Sequence, residues 1–318
     1  MTGPAKQRKG RHVMSWFWWI FGRKPRRSAA PVAWEPAPPP VPLAYTDSEG
    51  RRHLGEAPYL LPKDEQEIHR LDYQHYILRQ VLKGNTFAPV HGLLRRGGNV
   101  LDVGCGTGRW AKEIATAYPK TQVIGLDLEE VESSAPAPPN YQFYRGNLLN
   151  GLPFTAGSFH YVHQRLLVAA IPWAMWPGVV QELARVTLPG GWVELVEMGA
   201  TVSPPAPSTR QMIAWWEAVS QARGIEIAKV ARIGDLLRSA GLAHIRTETI
   251  RLPLGGWGGR IGSLLAQDFL AVIPSLRPVA QSQLGVAPER FNAVLGALEE
   301  EWERYEMSYE VYFACGQV

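Results

Sequence analysis

Val100-Leu101-Asp102-Val103-Gly104-Cys105-Gly106-Thr107-Gly108 decides the fold of this chain. Apolar residues flank one acid, and glycine then takes every second position. The pattern predicts a buried strand running into a tight turn, with a helix opening at Arg109-Trp110-Ala111. A strand–turn–helix passage of this kind brings backbone N–H groups close to a ligand. Glycine is needed there because a Cβ would block the approach or forbid a positive φ.

The same alternation continues outward. Apolar runs predict strands at 99–103, at 122–126 ending on Asp127, at 141–144, at 159–163 and at 192–197. Helical patterns lie between them at 109–118, stopped by Pro119, and at 176–187, with Pro189-Gly190-Gly191 as a turn. Two further strands are expected near 244–249 and 309–315. The fold class is therefore α/β, a Rossmann-like, doubly wound, mostly parallel seven-stranded sheet with helices on both faces. Residues 45–98 form an N-terminal helical cap. In it 45–55 is polar and turn-like, Asp64 and Glu67 make a capping box for a helix ending at Lys83-Gly84, and 89–94 is a second short helix. Residues 99–197 are the core. Residues 198–318 carry substrate-side helices at 209–223, 231–240, 261–273 and 287–305, together with the last strands.

Composition narrows the partners. The net charge is +4, but residues 1–27 hold eight Lys/Arg and no Asp or Glu, leaving 25 basic against 29 acidic residues in the rest. The body is thus formally −4 and offers no nucleic-acid footprint. The two cysteines, Cys105 and Cys315, are read as reduced thiols of a cytoplasmic protein. Within the tail, Trp16-Phe17-Trp18-Trp19-Ile20-Phe21 is flanked by basic residues and is too short to span a bilayer. Two readings stand: an unstructured tail, with Met14 as an alternative start, or a peripheral membrane contact through residues 13–27. Prolines make up half of residues 31–42, which predicts a stiff linker, so residues 1–44 stand apart from the folded body.

The loop departs from a dinucleotide fingerprint. Gly104, Gly106 and Gly108 give G-x-G-x-G, and Arg109 stands where the third dinucleotide glycine belongs. Asp102, two residues before the first glycine, would repel a pyrophosphate and suits a ligand with a cationic end. Asp127 ends the second strand, where a carboxylate accepts both hydroxyls of a ribose. Asn147 follows the third strand, where an amide can pair with a purine edge. A cationic amino-acid end, a ribose and an adenine together describe S-adenosylmethionine.

These residues resemble the class I S-adenosylmethionine-dependent methyltransferases over about 99–197. A closer resemblance runs over about 59–197. Tyr59-Leu60-Leu61-Pro62 with Asp64, Glu67, Arg70 and His75, then His163-Gln164-Arg165, Trp176-Pro177 and Pro189-Gly190-Gly191-Trp192-Val193-Glu194 are similar to the LaeA-like methyltransferases, known for a fungal regulator of secondary metabolism. Asn147 departs from the Asp common in class I enzymes, and Leu188 from a common basic residue.

The resemblance implies roles. Gly104, Gly106 and Gly108 lie against the methionine portion and ribose, and Cys105 offers a small side chain and a backbone N–H. Asp102 contacts the methionyl amino group, directly or through water, with a carboxylate that braces the loop by accepting backbone N–H bonds as the alternative. Asp127 holds the ribose, and Leu128, Asn147 and Leu148 frame the adenine. Tyr59 closes over the cofactor, and Gln164 bonds it or shapes the pocket. His163, beside Arg165 at the end of the fourth strand, is the candidate general base, with a core histidine as the alternative. No metal site is expected. The expected partner is a small-molecule methyl acceptor of secondary-metabolite, lipid or quinone type. A cofactor-binding regulatory protein is the competing reading; aminopropyl transfer is disfavoured by His-Gln-Arg where that chemistry wants acids.

Overall fold

Val100 and Leu101 are both fully buried although neighbouring side chains of a strand point to opposite faces. A strand with no wet face requires cover on both sides. On one side Val100 packs with Trp110, Ile114, Val90 and Leu94; on the other, Leu101 joins a core that runs through Val180 and Leu183 to Trp302 and Phe313.

The computed structural model describes Met1 and residues 44–47, 50–55, 59, 61–131 and 136–318. The basic Trp-rich segment and the proline linker lie outside the described residues. The sheet strands are β1 (Gly98–Val103), β2 (Thr121–Asp127), β3 (Tyr141–Arg145), β4 (Phe159–Arg165), β5 (Thr187–Ser203), β6 (Ala243–Pro253) and β7 (Ser308–Gln317). They form one seven-stranded sheet in the order β3-β2-β1-β4-β5-β7-β6. The first five run parallel, and β7 is antiparallel to both of its neighbours. Strand order reverses between β1 and β4. In open α/β sheets, ligands bind outside the carboxyl ends of the strands at such a switch point.

The α-helices are α1 (Glu65–Leu82), α2 (His91–Arg96), α3 (Arg109–Ala117), α4 (Trp176–Val186), α5 (Pro207–Gln221), α6 (Ile233–Ser239), α7 (Gly259–Val272), α8 (Arg277–Leu284) and α9 (Pro288–Arg304). Asp64 caps α1, accepting from Glu67 N at 3.1 Å, and Lys83 ends the helix at φ +51°. The other half of the expected capping box does not form, because the Glu67 carboxylate is taken by Arg70 and Tyr59. Helices α2 and α3 cover one face of the sheet. The other face packs against α4 and α6, and its core continues out to α5, α7 and α9.

Three expectations change. Pro189-Gly190-Gly191 does not interrupt the chain: β5 is continuous, because Gly190 N donates to Val318 O (2.6 Å) and Val318 N to Gly191 O (3.0 Å). The polar stretch after residue 44 contains an antiparallel hairpin pairing Ala44–Thr46 with Arg52–Leu54. Helix α8 was not foreseen; it begins at Arg277-Pro278, with proline at a first-turn position that costs no hydrogen bond.

Cys105 and Cys315 are both free thiols. Among the described residues no helix is long and apolar enough to cross a membrane, and no group of three or more His, Cys, Asp or Glu side chains is placed to hold a metal ion.

Candidate active site

The glycine turn is shaped by the end of β2. Gly104 N and Cys105 N both donate to Leu126 O, at 2.7 and 3.0 Å, so the chain leaving β1 curls over its neighbour. Gly104 has φ +68°, and a Cβ there would come within 2.6 Å of Leu167. Gly106 N donates to Asp127 Oδ2 at 2.8 Å, and Leu128 N to Oδ1 at 2.8 Å, fixing the carboxylate at the strand end. Thr107 Oγ1 donates to Asp72 Oδ1 (3.0 Å) and ties the loop to α1. Asn147 Oδ1 accepts from Leu149 N at 3.0 Å, which leaves the amide NH2 as the end available to a ligand.

These pieces enclose one cavity at the switch point. Of the positions predicted from sequence, Tyr59, Gly104, Cys105, Gly106, Asp127, Leu128, Asn147 and Leu148 line it. Arg165, from the end of β4, lines it as well; its NH2 donates to His75 Nδ1 at 3.0 Å, and burial works against its charge.

Four predicted positions, Asp102, Gly108, His163 and Gln164, do not line this cavity. His163 is 1% exposed, its ring stacked on Trp110 with centroids 3.8 Å apart, and its Nδ1 donates to Asp102 Oδ1 at 2.8 Å. Asp102 is likewise buried, so this pair braces the sheet against α3 and neither group lines the cavity. The strand pleat explains it: Leu101 and Val103 face the larger core, which turns Asp102 toward α3. Gly108, at φ +69°, caps α3, and a Cβ there would meet Tyr141 Oη at 2.8 Å; it serves the turn, not the lining. Gln164 is fully buried and donates to Glu197 Oε1 at 3.2 Å. Glu197 also accepts from Leu167 N and Val168 N, both at 3.0 Å, so Gln164 acts on the cavity only by fixing that loop. Burial pushes the Glu197 carboxyl up to about 8.

Among the lining residues that sequence reasoning did not assign are Lys63 and Gln74. Lys63 Nζ donates to Asp127 Oδ1 at 2.8 Å. Burial works against its charge, and Asp127 more than compensates, raising its pKa. Gln74 lines the cavity from α1. Lys63 stands one residue before the Asp64 cap, and that proximity was the only signal for it.

A second cavity adjoins the first. It shares Tyr59, Leu71, Gln74 and Leu166 with it and extends between β5, α5, α7 and α9. Its walls are mainly apolar and aromatic, including Met212, Trp216, Phe269 and Trp302.

The family profile of a methyltransferase domain matches residues 100–191. The secondary metabolism regulator LAE1 of Cochliobolus heterostrophus is 31% identical over 63% of this chain and 67% of its own length. The chain belongs to the class I S-adenosylmethionine-dependent methyltransferases, in the LaeA-like group. Methyltransferase pytC of Aspergillus terreus is 26% identical over 83% of this methyltransferase and 84% of its own length. The crystal structure of a protein described as a methyltransferase from an antibiotic biosynthesis pathway of Anabaena variabilis superposes with a TM-score of 0.50. It is 13% identical and covers 76% of this chain and 97% of its own; at that identity it speaks to the fold alone.

The methyltransferase's cavity fits its cofactor. The glycine cradle admits a ligand where a side chain would not, Asp127 holds a carboxylate at the cavity wall that can accept from a ribose, and Arg165, whose charge burial disfavours, can pair there with an anionic group such as a methionine carboxylate. When bound, S-adenosylmethionine supplies a methyl group on a sulfonium, already activated for displacement. What remains for the chain is to hold, align and exclude water.

Proposed function

We propose that the protein methylates a small-molecule acceptor with an apolar body, of the secondary-metabolite, lipid or quinone kind. The observation that carries this reading is the second cavity, whose apolar walls meet the cofactor cavity at Tyr59, Leu71, Gln74 and Leu166. The two cavities adjoin at these four side chains, so an acceptor held in the second can present its nucleophile to a methyl group offered from the first. A regulatory protein acting on a macromolecule would want an open acceptor face instead.

In this reading Asp127 holds the ribose, Asn147 and Leu148 frame the adenine with Leu128, and Arg165 takes the carboxylate. Tyr59, on the wall common to both cavities, separates the cofactor from bulk water. A general base is required only if the acceptor is an undissociated hydroxyl or a carbon acid, and His163 is not placed to be one.

The test is transfer of a labelled methyl group from S-adenosylmethionine into an extract of the native host, separated into small-molecule and macromolecular fractions. Label in the small-molecule fraction, lost with Asp127→Ala, supports the proposal. Label confined to the macromolecular fraction overturns it.

A further inference from the structure

The wall between the two cavities carries a buried ionic cluster that cofactor binding leaves unexplained. Arg70 and Glu67 from α1 and Asp268 from α7 are 5%, 3% and 3% exposed. Arg70 Nε donates to Glu67 Oε2 at 2.7 Å, its NH2 to Glu67 Oε1 at 2.5 Å, and its NH1 to Asp268 Oδ1 at 3.0 Å. Gln74 Nε2 donates to Asp268 Oδ2 at 3.0 Å, and Tyr59 Oη to Glu67 Oε1 at 3.3 Å.

Two carboxylates share one guanidinium, so the cluster is formally −1. Buried charges of a purely structural kind are ordinarily matched, because an unpaired one is costly in a medium of low dielectric. Here the excess lies beside an apolar chamber: Arg70, Gln74 and Asp268 all line the second cavity. A second observation points the same way. Gln74 Oε1 is buried with no hydrogen-bond partner, and the amide orientation is fixed because its NH2 must face the Asp268 carboxylate. The wall therefore lacks a positive charge and a hydrogen-bond donor, and both are missing at the same place.

We infer that this cluster is the recognition site for a protonatable amine on the apolar acceptor, with Asp268 and Gln74 Oε1 as the groups that receive it. The inference rests on the small-molecule reading above and names its substrate class. An ammonium group seated there restores neutrality, supplies the donor that Gln74 lacks, and leaves the apolar body among Trp216, Phe269 and Trp302, whose ring faces also favour a cation. Before its nitrogen can act as a nucleophile the ammonium must give up one proton. Asp268 is suited to take it: burial pushes its carboxyl up to about 6 against the opposing pull of Arg70.

The experiment is calorimetry on the full chain saturated with S-adenosylhomocysteine. The probes are phenylbutylamine, phenylbutanol and phenylbutyrate, which share one body and differ in charge. The amine is expected to bind about tenfold or more tighter than the alcohol, as for a hydrogen bond to a charged group, with the carboxylate weakest. Asp268→Asn, if it folds, should bring the amine down to the level of the alcohol. The wild-type series decides the question without any variant. Alcohol or carboxylate binding as tightly as the amine overturns the amine assignment and leaves the small-molecule reading standing. A folded Asp268→Asn protein that keeps the amine preference also overturns it. Failure of all three probes to bind, while S-adenosylhomocysteine does, overturns both.

Discussion

Lys63 Nζ sits 2.8 Å from Asp127 Oδ1 and so occupies the carboxylate that the cofactor's ribose is expected to use. A carboxylate offers about four lone-pair sites. Gly106 N, Leu128 N and Lys63 take three of them, whereas a ribose diol needs two. Lys63 must therefore withdraw when the cofactor binds. Lys63→Met is expected to tighten S-adenosylmethionine binding by about three- to tenfold, and Asp127→Asn to weaken it by about ten- to a hundredfold, the scale of a charged hydrogen bond. Calorimetry on both variants checks this. Weaker binding by Lys63→Met would show that the lysine holds the cofactor instead of competing with it.

His163→Asn should separate stability from function. The substitution removes the stack on Trp110 and leaves the Asp102 carboxylate buried with a poorer partner. A loss of about 2–4 kcal/mol in denaturant unfolding is expected. Cofactor affinity of the folded variant should change less than about threefold, because His163 does not line the cavity. A large loss of turnover at unchanged affinity would restore the histidine as a general base.

Ala200 lines the apolar cavity but not the cofactor cavity. Ala200→Phe fills part of the acceptor space at a stability cost of about 1–3 kcal/mol. The KM for the acceptor should rise at least about tenfold while S-adenosylmethionine affinity stays within about twofold of wild type. Equal effects on both ligands would mean that the two cavities are not separate sites.

His75 makes the fold acid-sensitive. Arg165 donates to its Nδ1 at 3.0 Å, so the ring proton sits on Nε2, 3.2 Å from Glu113. Burial, and then Arg165, push the imidazole down to about 4. The unfolded chain, at about 6.5, takes up the proton first as pH falls. Stability is therefore lost between about pH 6.5 and 4, by on the order of 3 kcal/mol when complete. Urea unfolding at a series of pH values should show this slope in the wild type and a shallower one in His75→Gln. Parallel slopes would remove His75 as the cause.

Local chemistry was the legible part. Glycine spacing, the acid ending β2 and the proline stops each act within a few residues of themselves, so the strands around the switch point and the floor of the cavity could be read from sequence. What depended on partners far along the chain could not. Asp102 carries the same acid whether it faces a ligand or His163, and the choice is made by which side of β1 the larger core occupies. Arg70 and Asp268 are 198 residues apart and meet only because α7 folds back across α1. Pro189-Gly190-Gly191 reads as a break because nothing nearby reveals that Val318 will hold it in the sheet.

β7, made from residues 308–317, lies between β5 and β6 instead of at an edge. During synthesis β5 and β6 are both finished long before the strand that joins them exists. Until residues 308–317 have emerged, both present open hydrogen-bonding edges, the kind of surface on which nascent chains associate. Residues 308–317 thus act as the keystone of assembly, and a stop placed before them should reduce soluble yield far more than their distance from the cofactor cavity suggests.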